Sequence, residues 1–275
     1  MSARTVDAMI ARCLLEPGYL DRLRDGLDAE LDLLRVDDTT RGELAGLDVA
    51  QVRRFGGLIS KVQHNDTWER FPLTRALLKF YGMELEVFAA YRDRHLSLLR
   101  GGRPTREAKT LSFLSFLDGY LASTATGACP GLIDVLVHER STWEVAGELT
   151  DTGPRQAVDP AGERVVPRDA LRIAALRYHP FDIASCLRDG SPAVADVVPR
   201  PAYLCYWGRR RADDVAVLEL DAVTASVLAC VDGRRSAADV VTAAHALLPE
   251  VGRRDLEAAL RQAVAREVVE HVRSE

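Results

Sequence analysis

The stretch VAVLELDAVTASVLACVDGRRSAADVV, residues 215–241, decides how the C-terminal part of the chain folds. It opens with an apolar, β-prone run, Val215–Leu220, and then changes period. Asp221 stands where a helix N-cap belongs, and Gly233 ends the helical pattern that Asp221 begins. Ser236 is a second N-cap, for SAADVVTAAHALLP (236–249), which Pro249 closes. Working outward, AYLCYWGRRR (202–211) and ALRIAALRYHP (170–180) are two further short β-prone runs. RADD, just before Val215, predicts a hairpin between the last two strands. On the other side RRDLEAALRQAVAREVVEHV (253–272) reads as a third helix.

A small sheet followed by three compact helices is a winged helix-turn-helix plan, which serves either DNA binding or peptide capture. Charge separates the two. Residues 201–275 carry ten Lys/Arg against twelve Asp/Glu, and Arg253, Arg254, Arg261 and Arg266 of the third helix alternate with Asp255, Glu257 and Glu267. A phosphate-binding face is more basic than this. No nucleic-acid partner is therefore expected, and a winged-helix DNA-binding transcription regulator is kept as the alternative. Peptide capture needs an open sheet edge beside a helix, where an extended peptide adds as a strand.

Upstream, residues 1–147 read as an all-α domain. Val49, Val52, Phe55, Ile59 and Val62 recur at three- and four-residue intervals, a helical period interrupted by Gly56-Gly57. Pro72 fixes a helix start and pushes Phe71 into an extended conformation. Thr105 is an N-cap for a helix carrying Leu111, Leu114, Leu117 and Leu121, and Pro130 opens the next. Residues 148–166 lose the period and gather Gly, Pro and Asp, as a linker does. The expected fold is α+β: a helical domain (1–147), a linker (148–166) and a winged-helix domain (167–275).

Global properties bound the rest. The 275 residues are 47% hydrophobic and 28% charged with a net charge of −5, as in a folded soluble protein. No apolar run is long enough for a membrane helix, and Arg4, Asp7 and Arg12 interrupt the N-terminal stretch where a signal peptide would be apolar. A cytoplasmic protein with no membrane partner is expected. Cys13, Cys129, Cys186, Cys205 and Cys230 are dispersed, which argues against a disulfide framework or a structural zinc. His64, Asp66, His95, His138, Glu139, His179 and Asp182 are the catalytic candidates, but none has metal-ligand spacing, and no nucleophile motif accompanies them. No catalytic residue, metal or cofactor is expected in this chain. Glu139, on the apolar face of its helix, needs a buried partner, for which Arg75 is a candidate. YHPFD (178–182) reads as a strand-ending turn.

The stretch 215–241 closely resembles the PqqD-like domains that recognise leader peptides of ribosomally made, post-translationally modified peptides. The resemblance lies in the strand Val215–Leu220, Asp221, the Val231-Asp232-Gly233 stop and the helix start Ser236-Ala237-Ala238-Asp239-Val240. It implies a leader groove between Val215, Val217 and Glu219 and the helix face of Leu256, Leu260 and Val264, positions that would otherwise be core. Asn65, Phe71, Pro72, Thr74, Leu77 and Leu78 within HNDTWERFPLTRALL form a second pattern. With YRDRH (91–95), FLSFLDGYL (113–121) and PGLIDVLVHERSTWEV (130–145), it resembles partner proteins of multinuclear non-haem iron-dependent oxidases, including the methanobactin-pathway partner. That resemblance implies a non-catalytic accessory subunit, heterodimeric with an oxidase that carries the iron, delivering the core peptide of a bound precursor. The corner at Trp68 and Phe71 then has two readings. It staples a helix entry, or it meets the oxidase, with Gln63, His64 and Asn65 as a polar rim.

Overall fold

The structure, a computed structural model, describes residues 8–13, 16, 18–33, 36–46, 48–100, 104–124, 129–150, 164–167, 170–188, 197–209 and 214–272. It is a mixed α+β fold with a helical core and two small β-sheets toward the C-terminus. Two compact units divide at residues 129 and 130, where the loss of helical period had put the end of the helical part at 147. No helix among the described residues is long and apolar enough to cross a membrane.

The first unit contains α1 (residues 8–13), α2 (Tyr19–Leu33), α3 (Asp38–Ala45), α4 (Val49–Gln63), α5 (Asn65–Trp68), α6 (Pro72–Phe80), α7 (Glu84–Arg100) and α8 (Arg106–Thr124). The caps foreseen are present: Thr105 Oγ1 accepts from Ala108 N (3.1 Å), and Pro72 opens α6 after a non-helical Phe71. The orientation of α4 departs from its hydrophobic stripe. Its buried residues include Gly56, Gly57 and Ser60, while Phe55, Leu58 and Val62 are 52%, 45% and 72% exposed. The cause is close packing against α7. A Cβ on Gly57 would lie 2.6 Å from the Leu85 carbonyl oxygen, so only glycine permits this approach.

The second unit begins with α9 (Leu132–Thr150), followed by β1 (Arg164–Pro167), β2 (Leu171–Leu176), α10 (Pro180–Arg188), β3 (Ala202–Arg209) and β4 (Asp214–Leu220). Then come α11 (Ala222–Ala229), α12 (Ala237–Leu247), α13 (Arg253–Ala265) and β5 (Val269–Val272). Residues 148–150 of the expected linker continue α9 and 164–166 belong to β1; residues 151–163 lie outside the described residues.

β2, β3 and β4 form an antiparallel sheet in that order, with Cys205 opposite Leu218 and Tyr206 opposite Val217. β1 and β5 form a second antiparallel pair. Two expectations are corrected here. The segment read as one third helix ends at Ala265; Glu267 turns the chain at φ +60° and β5 follows. YHPFD is not only a turn, because Pro180 opens α10.

Strand alternation gives the three-stranded sheet two covered faces. Leu171, Ile173, Cys205, Trp207, Leu218 and Leu220 meet the core of α11, α12 and α13. On the other face Ala174, Leu176, Leu204 and Tyr206, with Val215 and Val217, pack against Val145 of α9. Gly208 makes room for that helix, since a Cβ there would lie 2.8 Å from Leu149.

Candidate functional site

In the first unit the corner residues form the core. Trp68 is 1% exposed and Phe71 fully buried, and Trp68 meets Phe88 and Phe113 edge to face, at centroid distances of 5.3 and 4.8 Å. His64 is buried beside His95, their rings perpendicular and 4.0 Å apart. Burial, with the neighbouring His95 and Lys109, depresses the His64 pKa to about 3, so it is neutral near pH 7. Asn65 is exposed, and its Oδ1 accepts from Arg75 Nη1 (3.0 Å); Gln63 is the last residue of α4. Arg75, the partner foreseen for Glu139, instead donates from Nε to Glu84 Oε1 (2.9 Å), and Lys61 donates to Glu84 Oε2 (2.7 Å). Burial pushes the Glu84 carboxyl up, but these two cations outweigh it and hold its pKa below the usual value.

The remaining catalytic candidates also make structural contacts. Asp66 Oδ1 accepts from Thr67 N (3.0 Å). His138 Nδ1 and Tyr206 Oη are 3.0 Å apart, and burial, with nearby His179, lowers the His138 pKa to about 4. His179 Nε2 lies 3.4 Å from Glu219, too poorly aligned for a hydrogen bond, and Arg200 bridges Glu219 and Asp182 at 3.0 Å each. Among the described residues no group of three or more His, Cys, Asp or Glu side chains is arranged to hold a metal ion.

The six residues assigned to a groove do not come together on one surface. Val215 and Val217 pack on the α9 side of the sheet, and Glu219 is exposed, bonded to Arg200. Leu256 and Leu260 lie inside the core on the opposite side, and Val264 is partly buried against it. A different set of residues on the same strand and around the end of α13 lines a surface slot. Leu218 and Leu220, with Cys205 and Val268, floor a shallow slot of about 10 Å³, room for about one water, whose walls include Gln262 and Arg266.

β4 is an outer strand, paired only with β3 among the described strands. Among the described residues its other side therefore has no strand partner next to this slot. Burial raises the Cys205 thiol pKa to about 12, so it is an inert, neutral part of the floor. A wider recess of about 290 Å³ lies between α12 and α13, over Ala237, Ala238, Val241 and Leu260, with Arg253 and Arg261 among its walls. Among the described residues no strand contributes to its lining.

The local sequence explains why the slot forms. Asp221 accepts from Thr224 N and Oγ1 (2.8 Å each), starting α11 immediately after β4. Asp232 accepts from Arg234 N (2.9 Å) and Arg235 N (3.1 Å), and Ser236 then caps α12 through Asp239 N (3.2 Å). These turns return α13 across α11. No family model and no curated protein matches the sequence.

Proposed function

We propose that this chain is a non-catalytic accessory subunit in the biosynthesis of a modified peptide. It binds the precursor's leader and presents the core peptide to a partner multinuclear non-haem iron-dependent oxidase. The reading takes β2–β4 and α11–α13 as a winged helix-turn-helix domain of the PqqD-like kind. The observation that carries it is the open edge of β4 beside an apolar slot walled by α13. An edge with its backbone unpaired and a helix alongside is what strand addition requires: main-chain bonds supply affinity and the slot supplies choice. Tethering the leader raises the effective concentration of the core peptide at the oxidase.

The docking surface on the first unit shifts from the buried corner to α4. Phe55, Leu58 and Val62 follow one another at three- and four-residue intervals, each exposed by more than two fifths, as an apolar contact row is. The DNA-binding alternative has less support. α13 sets three arginines among Asp255 and Glu257, with Arg266 and Glu267 just beyond it, and Arg261 lies 3.8 Å from Glu257.

The test is co-expression with such an oxidase and its precursor peptide, followed by size-exclusion chromatography and iron analysis. One peak with both chains, holding the precursor and losing only the precursor when Gln262→Trp covers the slot, is the expected result. Separate peaks, or retention of duplex DNA in place of the precursor, would refute the assignment.

A further inference from the structure

We propose that the recess between α12 and α13 binds a small apolar monocarboxylate, whose carboxylate Arg253 holds. The recess takes no part in peptide capture, so the inference stands apart from that reading. It forms because α12 opens on two small residues. Ala237 and Ala238 leave unfilled the space that larger side chains would occupy against α13. Val241 and Leu260, 5% and 4% exposed, supply the rest of the apolar floor. The hollow measures about 290 Å³. An apolar cavity of roughly 150 Å³ takes up benzene, so this one admits a two-ring or branched aliphatic body.

Charge decides the other end of the ligand. Among the described residues three charged side chains line the recess: Arg253, Glu257 and Arg261, spaced along one side of α13. Arg261 and Glu257 lie 3.8 Å apart and offset each other. Arg253 is exposed, donates through Nη2 to the neutral Thr242 Oγ1 (2.9 Å) and makes no ion pair among the described residues. The neighbouring carboxylates stand outside the lining. Asp239 Oδ2 accepts from Ser236 Oγ (2.7 Å), Asp255 takes another side of α13 from Arg253, and Glu250 belongs to the turn before that helix. A planar guanidinium with donors to spare takes a carboxylate in two parallel hydrogen bonds. One uncompensated cation beside an apolar floor therefore favours an apolar monoanion over a neutral molecule or an amine.

The experiment is methyl NMR of the full-length chain, labelled at its Val and Leu methyl groups and titrated with 2-naphthoate, 2-naphthamide and inorganic phosphate. Arg253→Gln and Ala238→Phe change exposed side chains, and thermal melts confirm that both variants fold. Naphthoate should shift the Val241 and Leu260 methyls saturably, with a Kd of about 1 mM for a ligand of this size. Naphthamide should bind about fivefold more weakly, because an exposed charge pair contributes little more than that. Arg253→Gln should remove the difference by weakening naphthoate alone, since a direct contact couples in this way. Ala238→Phe, which fills the hollow, should abolish binding of both. Equal affinities for naphthoate and naphthamide, or a difference that Arg253→Gln leaves intact, would overturn the role of Arg253. Unmoved Val241 and Leu260 methyls, binding that survives Ala238→Phe, or phosphate binding as tightly as naphthoate would overturn the site.

Discussion

Residues 64–71 hold an unusual concentration of aromatic and polar side chains, and the structure buries Trp68, Phe71 and His64 completely or nearly so. Leu218 and Leu220, plain aliphatic residues of a short strand, line a slot beside an open edge instead. The contrast shows how weakly a conspicuous composition marks the surface of a protein. Aromatic rings gather where a core must be filled densely. A peptide-binding edge needs unpaired backbone and a shallow apolar floor, which ordinary residues supply.

The comparison can be broken most forcefully at Trp68. Trp68→Ala should cost roughly 3–5 kcal/mol of stability, read by urea unfolding, because it empties a site between Phe88 and Phe113. A loss under about 1 kcal/mol would return the corner to the surface. Next comes pH. His64 is neutral in the fold with its pKa near 3, against 6.5 when unfolded, so the unfolded chain takes up its proton first. Its contribution is complete above about pH 6.5 and is lost as pH falls toward 3, at about 1.4 kcal/mol per unit. Between pH 6.5 and 5 the wild type should lose about 2 kcal/mol from this group, and His64→Phe should flatten that slope; an unchanged slope would refute the assignment. Gly57→Ala should destabilise by about 1–2 kcal/mol through the clash with the Leu85 carbonyl, measured in the same way. The smallest effect sharpens the other side of the contrast. Phe55→Ser and Val62→Ser should each change stability by less than about 0.5 kcal/mol while weakening capture of the oxidase in a pull-down. Equal losses of stability and capture would make the α4 row part of the core.

The parts of the fold that the sequence made legible are those governed by local chemistry. Asp221 and Ser236 mark the starts of α11 and α12 because a capping side chain acts within three residues. The helical nature of α4 was legible as well, but its buried face was not. That helix packs through Gly56, Gly57 and Ser60, and a hydropathy stripe cannot foresee packing by small residues. β5 was hidden because Glu267, not Gly or Pro, makes the turn after α13. Which face of β4 each apolar residue takes was not legible. With both faces of the sheet covered, Val215 and Val217 are as apolar as Leu218 and Leu220, and composition does not say which pair faces α13.

The open edge of β4 has a consequence for the free protein. A strand that accepts a peptide also accepts another copy of itself, and two such edges brought together antiparallel would satisfy each other's backbone. The charged side chains near the ends of β4, Asp214 bonded to Arg209 and Glu219 bonded to Arg200, leave only a short stretch between them for this pairing. Peptide occupancy would close that stretch altogether. The precursor would then act as a stopper as well as a cargo, and the loaded subunit would stay monodisperse at concentrations where the empty one begins to self-associate.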